Sequence, residues 1–270
     1  MGVVKIFEHV DLIEKSIGNG VTFPLLGTVS DEYYVIKTFN NPQGNKILIN
    51  EFICYHIAKL IGLPIPDIKL AFIDSDTSID SSVSSNDLFS KECFGLAFCS
   101  KQVLTMGLAQ PDLIASANNA NIIIPRLILF DYLICNKDRN PGNLLYSLID
   151  YNMYIIDHSH TFDLGSIWDK HQLEIRMTEA DCLSTDVLEC NEYFYSVFKE
   201  YNLLDIVSLS NAANFIKEKI TIDNLEIIID KVPIEWESNI EDLNALKNYL
   251  LYRLKYIDEF IKIISSYSYN

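Results

Sequence analysis

Asp138, Asn143 and Asp157 all fall within one stretch, NKDRNPGNLLYSLIDYNMYIIDHSHTF, residues 136–162. Two carboxylates and an amide brought close together can accept a proton and can hold a hard divalent cation through oxygen. Between Asp138 and Asn143, RNPG forces a turn that lets both side chains face one place. LLYSLIDYNMYIID then reads as a hairpin, two apolar strands about an Asp-Tyr-Asn turn, which returns Asp157 to the same place. A carboxylate that ends a buried strand is costly unless it is coordinated or hydrogen-bonded. The spacing therefore assigns Asp157, with Asn143, to magnesium, and Asp138 to an acceptor hydroxyl.

Phosphoryl transfer fits these groups, because it asks for in-line positioning and charge neutralisation more than for covalent help. Its other parts are a lysine for the nucleotide phosphates and an acid that holds the lysine. Lys37 closes the alternating strand YYVIK, similar to the V-A-I-K pattern of kinases, and 143 − 138 = 5 is the interval of the kinase loop H-R-D-L-x-x-x-N. Glu51 sits beside Phe52 and Ile53 at the start of an apolar-periodic helix, where a carboxylate against a buried face gains from a lysine partner. Taken singly, Lys37 reads as a solvent-facing strand lysine and Glu51 as a first-turn glutamate favoured by the helix dipole. The order of all five groups along the chain favours a site.

Weaker signals surround them. Gly18 and Gly20, in SIGNGVTFPLLG, could cover ATP phosphates through backbone N–H groups, but the full G-x-G-x-x-G form is missing and a plain turn fits equally. His158 and His160 have no third ligand at zinc spacing. His158 is expected to pack or hydrogen-bond behind Asp157, and Arg139 to brace the loop through a carboxylate or a carbonyl.

The elements that must position these groups begin with a strand pair, VTFPLLGTVS and EYYVIKTF, and a helix over NKILINEFICYHIAKLIGL stopped by Gly62 and Pro64. Strands over PIPDIKLAFID and CFGLAFCSKQVL flank SDTSIDSSVSSNDLFS, which is expected to be an exposed, mobile insert. In PDLIASANNANIIIPRLILFDYLIC, Pro125 should start a helix rather than lie inside one. Amphipathic helices fill residues 187–267. The pattern predicts an α+β chain with two lobes: a small strand-rich N-lobe with one key helix, residues 1–102, and a larger helical C-lobe, residues 103–270, within one bilobed domain.

Composition narrows the function classes. With 270 residues, 49% hydrophobic and 11% aromatic, the chain can bury a substantial core. Its 21 basic and 37 acidic residues give a net charge of −16 with no basic cluster, which disfavours nucleic acid and leaves room for a small phosphate compound. The six cysteines, at 54, 93, 99, 135, 182 and 190, show no C-x-x-C spacing, so free, largely buried thiols in a reducing cytoplasm are expected. No signal peptide or bilayer-spanning run is found, and the acidic polar faces of the C-terminal helices suit a lobe core rather than a membrane surface.

YYVIKTFNNPQGNKILINEFICYHIAKLIGLPIPD, FGLAFCSK, FDYLICNKDRNPGNLL and MYIIDHSHTF, in this order over approximately residues 5–175, resemble the HipA-like kinases, specifically the compact stand-alone HipA-like kinase domain proteins of bacteria. The resemblance implies a protein-kinase-like fold, dependence on ATP and magnesium, serine/threonine kinase activity, and for Lys37, Glu51, Asp138, Asn143 and Asp157 the roles argued above. The best-known members are toxins beside a DNA-binding antitoxin, which larger members contact through an additional N-terminal domain that this chain is expected to lack. Asn136 replaces the usual loop histidine two residues before Asp138, and His158 follows the metal aspartate in place of Phe-Gly. N-x-D-R and I-D-H also fit HipA-like and phosphoinositide kinases. The same motifs suit a lipid or small-molecule kinase, or a silent nucleotide-binding module, although retention of all five polar groups speaks against silence.

Overall fold

The computed structural model describes residues 7–17, 21–105 and 109–269. Up to Lys101 the chain forms β1 (Glu8–His9), β2 (Leu12–Ser16), β3 (Leu25–Val29), β4 (Glu32–Lys37), α1 (Lys46–Leu60), β5 (Ile68–Ile73), β6 (Ser78–Ile79), α2 (Ser81–Ser84) and β7 (Gly95–Lys101). Then come α3 (Pro111–Ala115), α4 (Ala120–Leu133), β8 (Leu144–Tyr146), β9 (Met153–Ile155), α5 (Lys170–Thr178), α6 (Asp186–Cys190) and α7 (Glu192–Glu200). The chain closes with α8 (Ile206–Lys219), α9 (Ile222–Asp230), α10 (Ile240–Lys255) and α11 (Ile257–Ser266).

Seven strands form one sheet in the order β1-β5-β7-β4-β3-β2-β6, and β8 and β9 form a separate hairpin. The expected strand pair is β3 and β4, antiparallel with Leu25 opposite Ile36. Ser30 and Asp31 join them in a two-residue turn with both φ angles positive, 51° and 63°, the hand that matches strand twist. Period-two alternation sorts the sheet's faces. Tyr34, Ile36, Ala97 and Cys99 enter a small outer core, while Leu96 and Phe98 join the main core built around α1, α4 and α10. Val35 and Lys37 thus share the inner face.

α1 ends as its sequence predicts. Gly62, at φ 67°, lets Leu63 N–H reach the Ala58 carbonyl at 2.8 Å, closing the last turn. On α1, burial lowers His56 to about 4, with Lys231 adding to the effect. The unfolded chain then binds more protons than the folded one between pH 4 and the ordinary histidine value, so stability falls as pH falls through that window. In thermal melts, wild type is expected to lose more stability than His56→Phe between about pH 6.5 and pH 4, and no more than the variant above that window.

Two expectations are corrected. Pro125 lies inside α4, not at a helix start. The carbonyl it leaves unpaired belongs to Asn121, on the exposed side of the first turn where water can serve it, and burial of Ile123, Ile124, Leu127 and Ile128 outweighs one lost hydrogen bond. The Ser/Asp-rich insert is exposed at most positions but is not structureless: β6 adds to β2 with Ile79 opposite Ile13, and its own Val83 and Phe89 are buried. β2 itself has a charged sequence, LIEKS, and owes its strand conformation to pairing with β3.

The C-terminal half reaches back to the sheet through Trp236, whose Nε1 donates to the Leu96 carbonyl at 2.8 Å and whose ring stands edge-on to Phe52 of α1. Five of the six cysteines are buried and all six are free. Among the described residues no helix is long and apolar enough to cross a membrane.

Candidate active site

The predicted groups come from a strand end, a helix, a loop and a hairpin. Lys37 closes β4 and Glu51 lies in the second turn of α1. Asn143 immediately precedes β8, and Asp157 follows β9 by two residues, so the hairpin pairing of Leu144 with Ile155 brings them to one end. Asp138 lies in the loop between α4 and β8. Lys37, Glu51, Asp138, Asn143 and Asp157 all line one cleft of about 1160 Å³. Its apolar wall includes Val35, Ile68, Phe98, Leu145 and Ile156. Gly18 and Gly20, predicted over the phosphates, lie outside the described residues.

On one wall Lys37 is only 6% exposed and Glu51 4%. The lysine donates to Glu51 Oε1, to Asp157 Oδ1 at 2.8 Å and to Ser159 Oγ at 2.7 Å. Burial disfavours its charge, yet Asp157 and Glu51 outweigh burial and raise Lys37 above the ordinary lysine value. Burial likewise opposes the two carboxylates, and Lys37 overcomes it, so Glu51 and Asp157 both sit below their ordinary values. Asp157 holds a left-handed backbone, φ 55°. That conformation is strained for a non-glycine residue and persists only where neighbours enforce it.

Arg139 is one such neighbour. Only 1% exposed, it grips Asp131, itself 0% exposed, through Nε at 3.1 Å and Nη2 at 2.7 Å. Its Nη1 donates to the carbonyls of Asn143 at 3.0 Å and Ile156 at 3.2 Å, clamping both ends of the hairpin. The bracing predicted for Arg139 is thus made to a carboxylate and to carbonyls together. Its backbone N–H donates to Asn191 Oδ1 at 2.7 Å, which ties the loop to the start of α7. Asp131 is further bonded by Tyr195 Oη and Asn136 Nδ2. Asn136, in the place of the usual loop histidine, also accepts from Asp138 N–H at 3.0 Å.

His158 packs behind Asp157, as expected, edge-on to Phe130 and with no exposed surface. Its backbone N–H donates to Glu51 Oε1 at 3.1 Å. Nε2 stands 3.4 Å from Arg139 Nη2. A guanidinium can only donate, so Nε2 accepts and the ring proton sits on Nδ1, on the side of Glu51 Oε2 at 3.8 Å.

Asp138 is half-buried, with Oδ1 accepting from Asn140 Nδ2 at 2.8 Å and Oδ2 3.4 Å from Asn143 Nδ2. Two amides thus orient a carboxylate that faces the cleft. Next to it, Lys137 pairs with Asp163 and Asp186, and Arg176 pairs with Asp163 at 2.8 Å, fastening the chain after Ser159 to the loop.

Sequence reasoning missed Asp131, Ser159, Asn191 and Tyr195. Asp131 left a signal: a carboxylate inside the apolar run LILFDYLIC needs a buried partner, and Arg139 follows eight residues later. Ser159, which bridges Lys37, Glu51 and Asp157 with no exposed surface, left none.

Residues 10–261 match the HipA-like kinase family. No curated protein sequence matches the chain. Among solved structures it aligns with the proinflammatory kinase CtkA of Helicobacter pylori at TM-score 0.62 and 16% identity, over 97% of this chain and 98% of that one. It aligns with hydra Fam20, solved with a sugar, at TM-score 0.51 and 12% identity over 94% and 86% of the two chains. HipA of Shewanella oneidensis, from a toxin–antitoxin complex with HipB and operator DNA, aligns at TM-score 0.46 and 13% identity over 100% of this chain and 70% of that one. The first two share the architecture described above, a bilobed, kinase-like α+β fold.

Proposed function

Because this chain belongs to the HipA-like kinase family, we propose that it transfers the γ-phosphoryl group of ATP, with magnesium, to a hydroxyl acceptor, a serine or threonine of a protein. The observation that carries this reading is the cluster of Lys37, Glu51 and Asp157 in the cleft whose lining also includes Asp138 and Asn143. The apolar wall of Val35, Phe98 and Ile156 suits a flat nucleobase. We take residues 1–102 as the N-lobe and 103–270 as the C-lobe. We place the protein in the cytoplasm, where its free thiols stay reduced. The net charge of −16 argues against nucleic acid as a partner.

The donor set fits magnesium. Among the described residues Asp157 Oδ2 and Asn143 Oδ1 take no hydrogen bond, because Lys37 and Ser159 use Asp157 Oδ1 and the Asn143 amide nitrogen turns to Asp138. Both are the hard oxygen ligands that such an ion prefers. Bound there, magnesium would neutralise phosphate charge.

Lys37, held by Glu51, binds the nucleotide phosphates. Asp138, oriented by Asn140 and Asn143, accepts the proton of the acceptor hydroxyl. The acceptor oxygen bonds to the γ-phosphorus, the bond from phosphorus to the β–γ bridging oxygen breaks, and ADP leaves with that electron pair.

The test is ATP hydrolysis and autophosphorylation with magnesium, wild type beside Asp157→Ala. Removing a metal ligand and one of the lysine's partners is expected to lower turnover by about 10²–10³-fold, the order of loss when one preorganised electrostatic group is removed from an active site. Wild type that binds no nucleotide, or Asp157→Ala with undiminished turnover, would rule the reading out.

A further inference from the structure

Asn50 precedes Glu51 on α1 and has no exposed surface. Its amide spans from α1 to the segment that follows Asp157. Nδ2 donates to the carbonyls of Ser159 and Gly165, each at 2.8 Å, and Oδ1 accepts from Trp168 Nε1 at 2.8 Å. An apolar residue would serve packing alone. A buried amide is costly unless partners meet it, so this one suits a single arrangement of its three partners.

The segment that supplies those partners is otherwise under strain. Phe162 and Asp163 hold left-handed φ angles of 59° and 67°, which non-glycine residues keep only where surroundings impose them. Trp168, fully buried and edge-on to Phe162, also lies beneath Lys46 of α1, whose Nζ stands 4.5 Å from the ring centroid. The segment begins at Ser159, whose hydroxyl touches both Lys37 and Glu51.

We propose that Asn50 is a positioning residue that makes the Lys37–Glu51 pair conditional on residues 159–168: α1 presents Glu51 to Lys37 only while Ser159, Gly165 and Trp168 engage the Asn50 amide. Its catalytic consequence rests on the reading of Lys37 and Glu51 as the nucleotide-phosphate pair. A change in the segment, whatever its origin, then reaches the nucleotide through one side chain of α1.

Two substitutions test the tie. Asn50→Ala removes all three hydrogen bonds, and Trp168→Phe keeps a ring and removes one, guarding against a variant that fails to fold. Acetylation of Lys37 by an amine-reactive acetyl ester, followed by mass spectrometry, reads the lysine's release without any need for turnover. The rate at Lys37 is expected to rise by about fivefold or more in both variants, while Lys59 at the far end of α1 reacts as in wild type. In parallel, each substitution is expected to lower kcat by about tenfold, yet by less than about twofold when added to Glu51→Gln, since residues that act through one another are not additive. Unchanged Lys37 acetylation in the folded variants, or kcat losses that multiply in the Glu51→Gln background, overturns the proposal. Wild type without ATP turnover overturns the kinase reading alone, because the acetylation rates still decide whether Asn50 governs the pair.

Discussion

Asp138→Asn is expected to lower phosphoryl transfer by about 10²–10⁴-fold, the usual contribution of a positioned general base. Nucleotide affinity should stay within about threefold of wild type, because the change is isosteric and removes a group assigned to the acceptor rather than to ATP. The asparagine amide oxygen can still accept from Asn140 Nδ2, so the loop's local bonding survives. A kcat measurement beside calorimetric titration with the nucleotide separates the two effects. Equal losses in kcat and in affinity would mean that Asp138 holds the nucleotide, and the assignment of the acceptor proton to it would fail.

Arg139→Ala is expected to carry the largest stability loss. It strands Asp131, a carboxylate with no exposed surface, takes the guanidinium from the Ile156 carbonyl, and leaves the Asn143 carbonyl with the Ile156 N–H alone. Breaking a buried pair from one side costs about 3–5 kcal/mol, against a total stability of about 5–15 kcal/mol for an ordinary domain. Arg139→Lys should recover little, since an ammonium cannot meet Asp131 in a fork and reach two carbonyls as well. The double replacement Arg139→Met with Asp131→Leu removes both charges and should recover much of the stability. Activity should stay low in that variant, because the clamp on the two ends of the hairpin is still missing. Urea melts monitored by circular dichroism, read beside kcat, check both halves. A fully active, stable Arg139→Ala protein would show that the clamp is dispensable.

Much of the candidate site was readable before any contact was known. The Asp138 to Asn143 interval, the Pro-Gly turn inside it and the hairpin that returns Asp157 are effects of a few neighbouring residues, and backbone periodicity carries them. The same holds for the strand alternation that puts Lys37 and Val35 on one face of β4, and for the Gly62 stop of α1. Local reasoning also produced the errors. The preference of a single proline is blind to burial, so Pro125 looked like a helix start, and a Ser/Asp-rich composition made residues 75–90 look loose although β2 offered an edge to pair with.

The sequence by itself determined which residue types stand at the chemical positions and which of them share one face of a strand or helix, because those follow from bonds and sterics between near neighbours. Only the tertiary structure decided their partners. Lys37 meets Ser159 across 122 residues and Asn50 meets Trp168 across 118. A hydrogen bond between such distant groups exists only once the lobes pack, and no local pattern records which buried polar atom will stand opposite another.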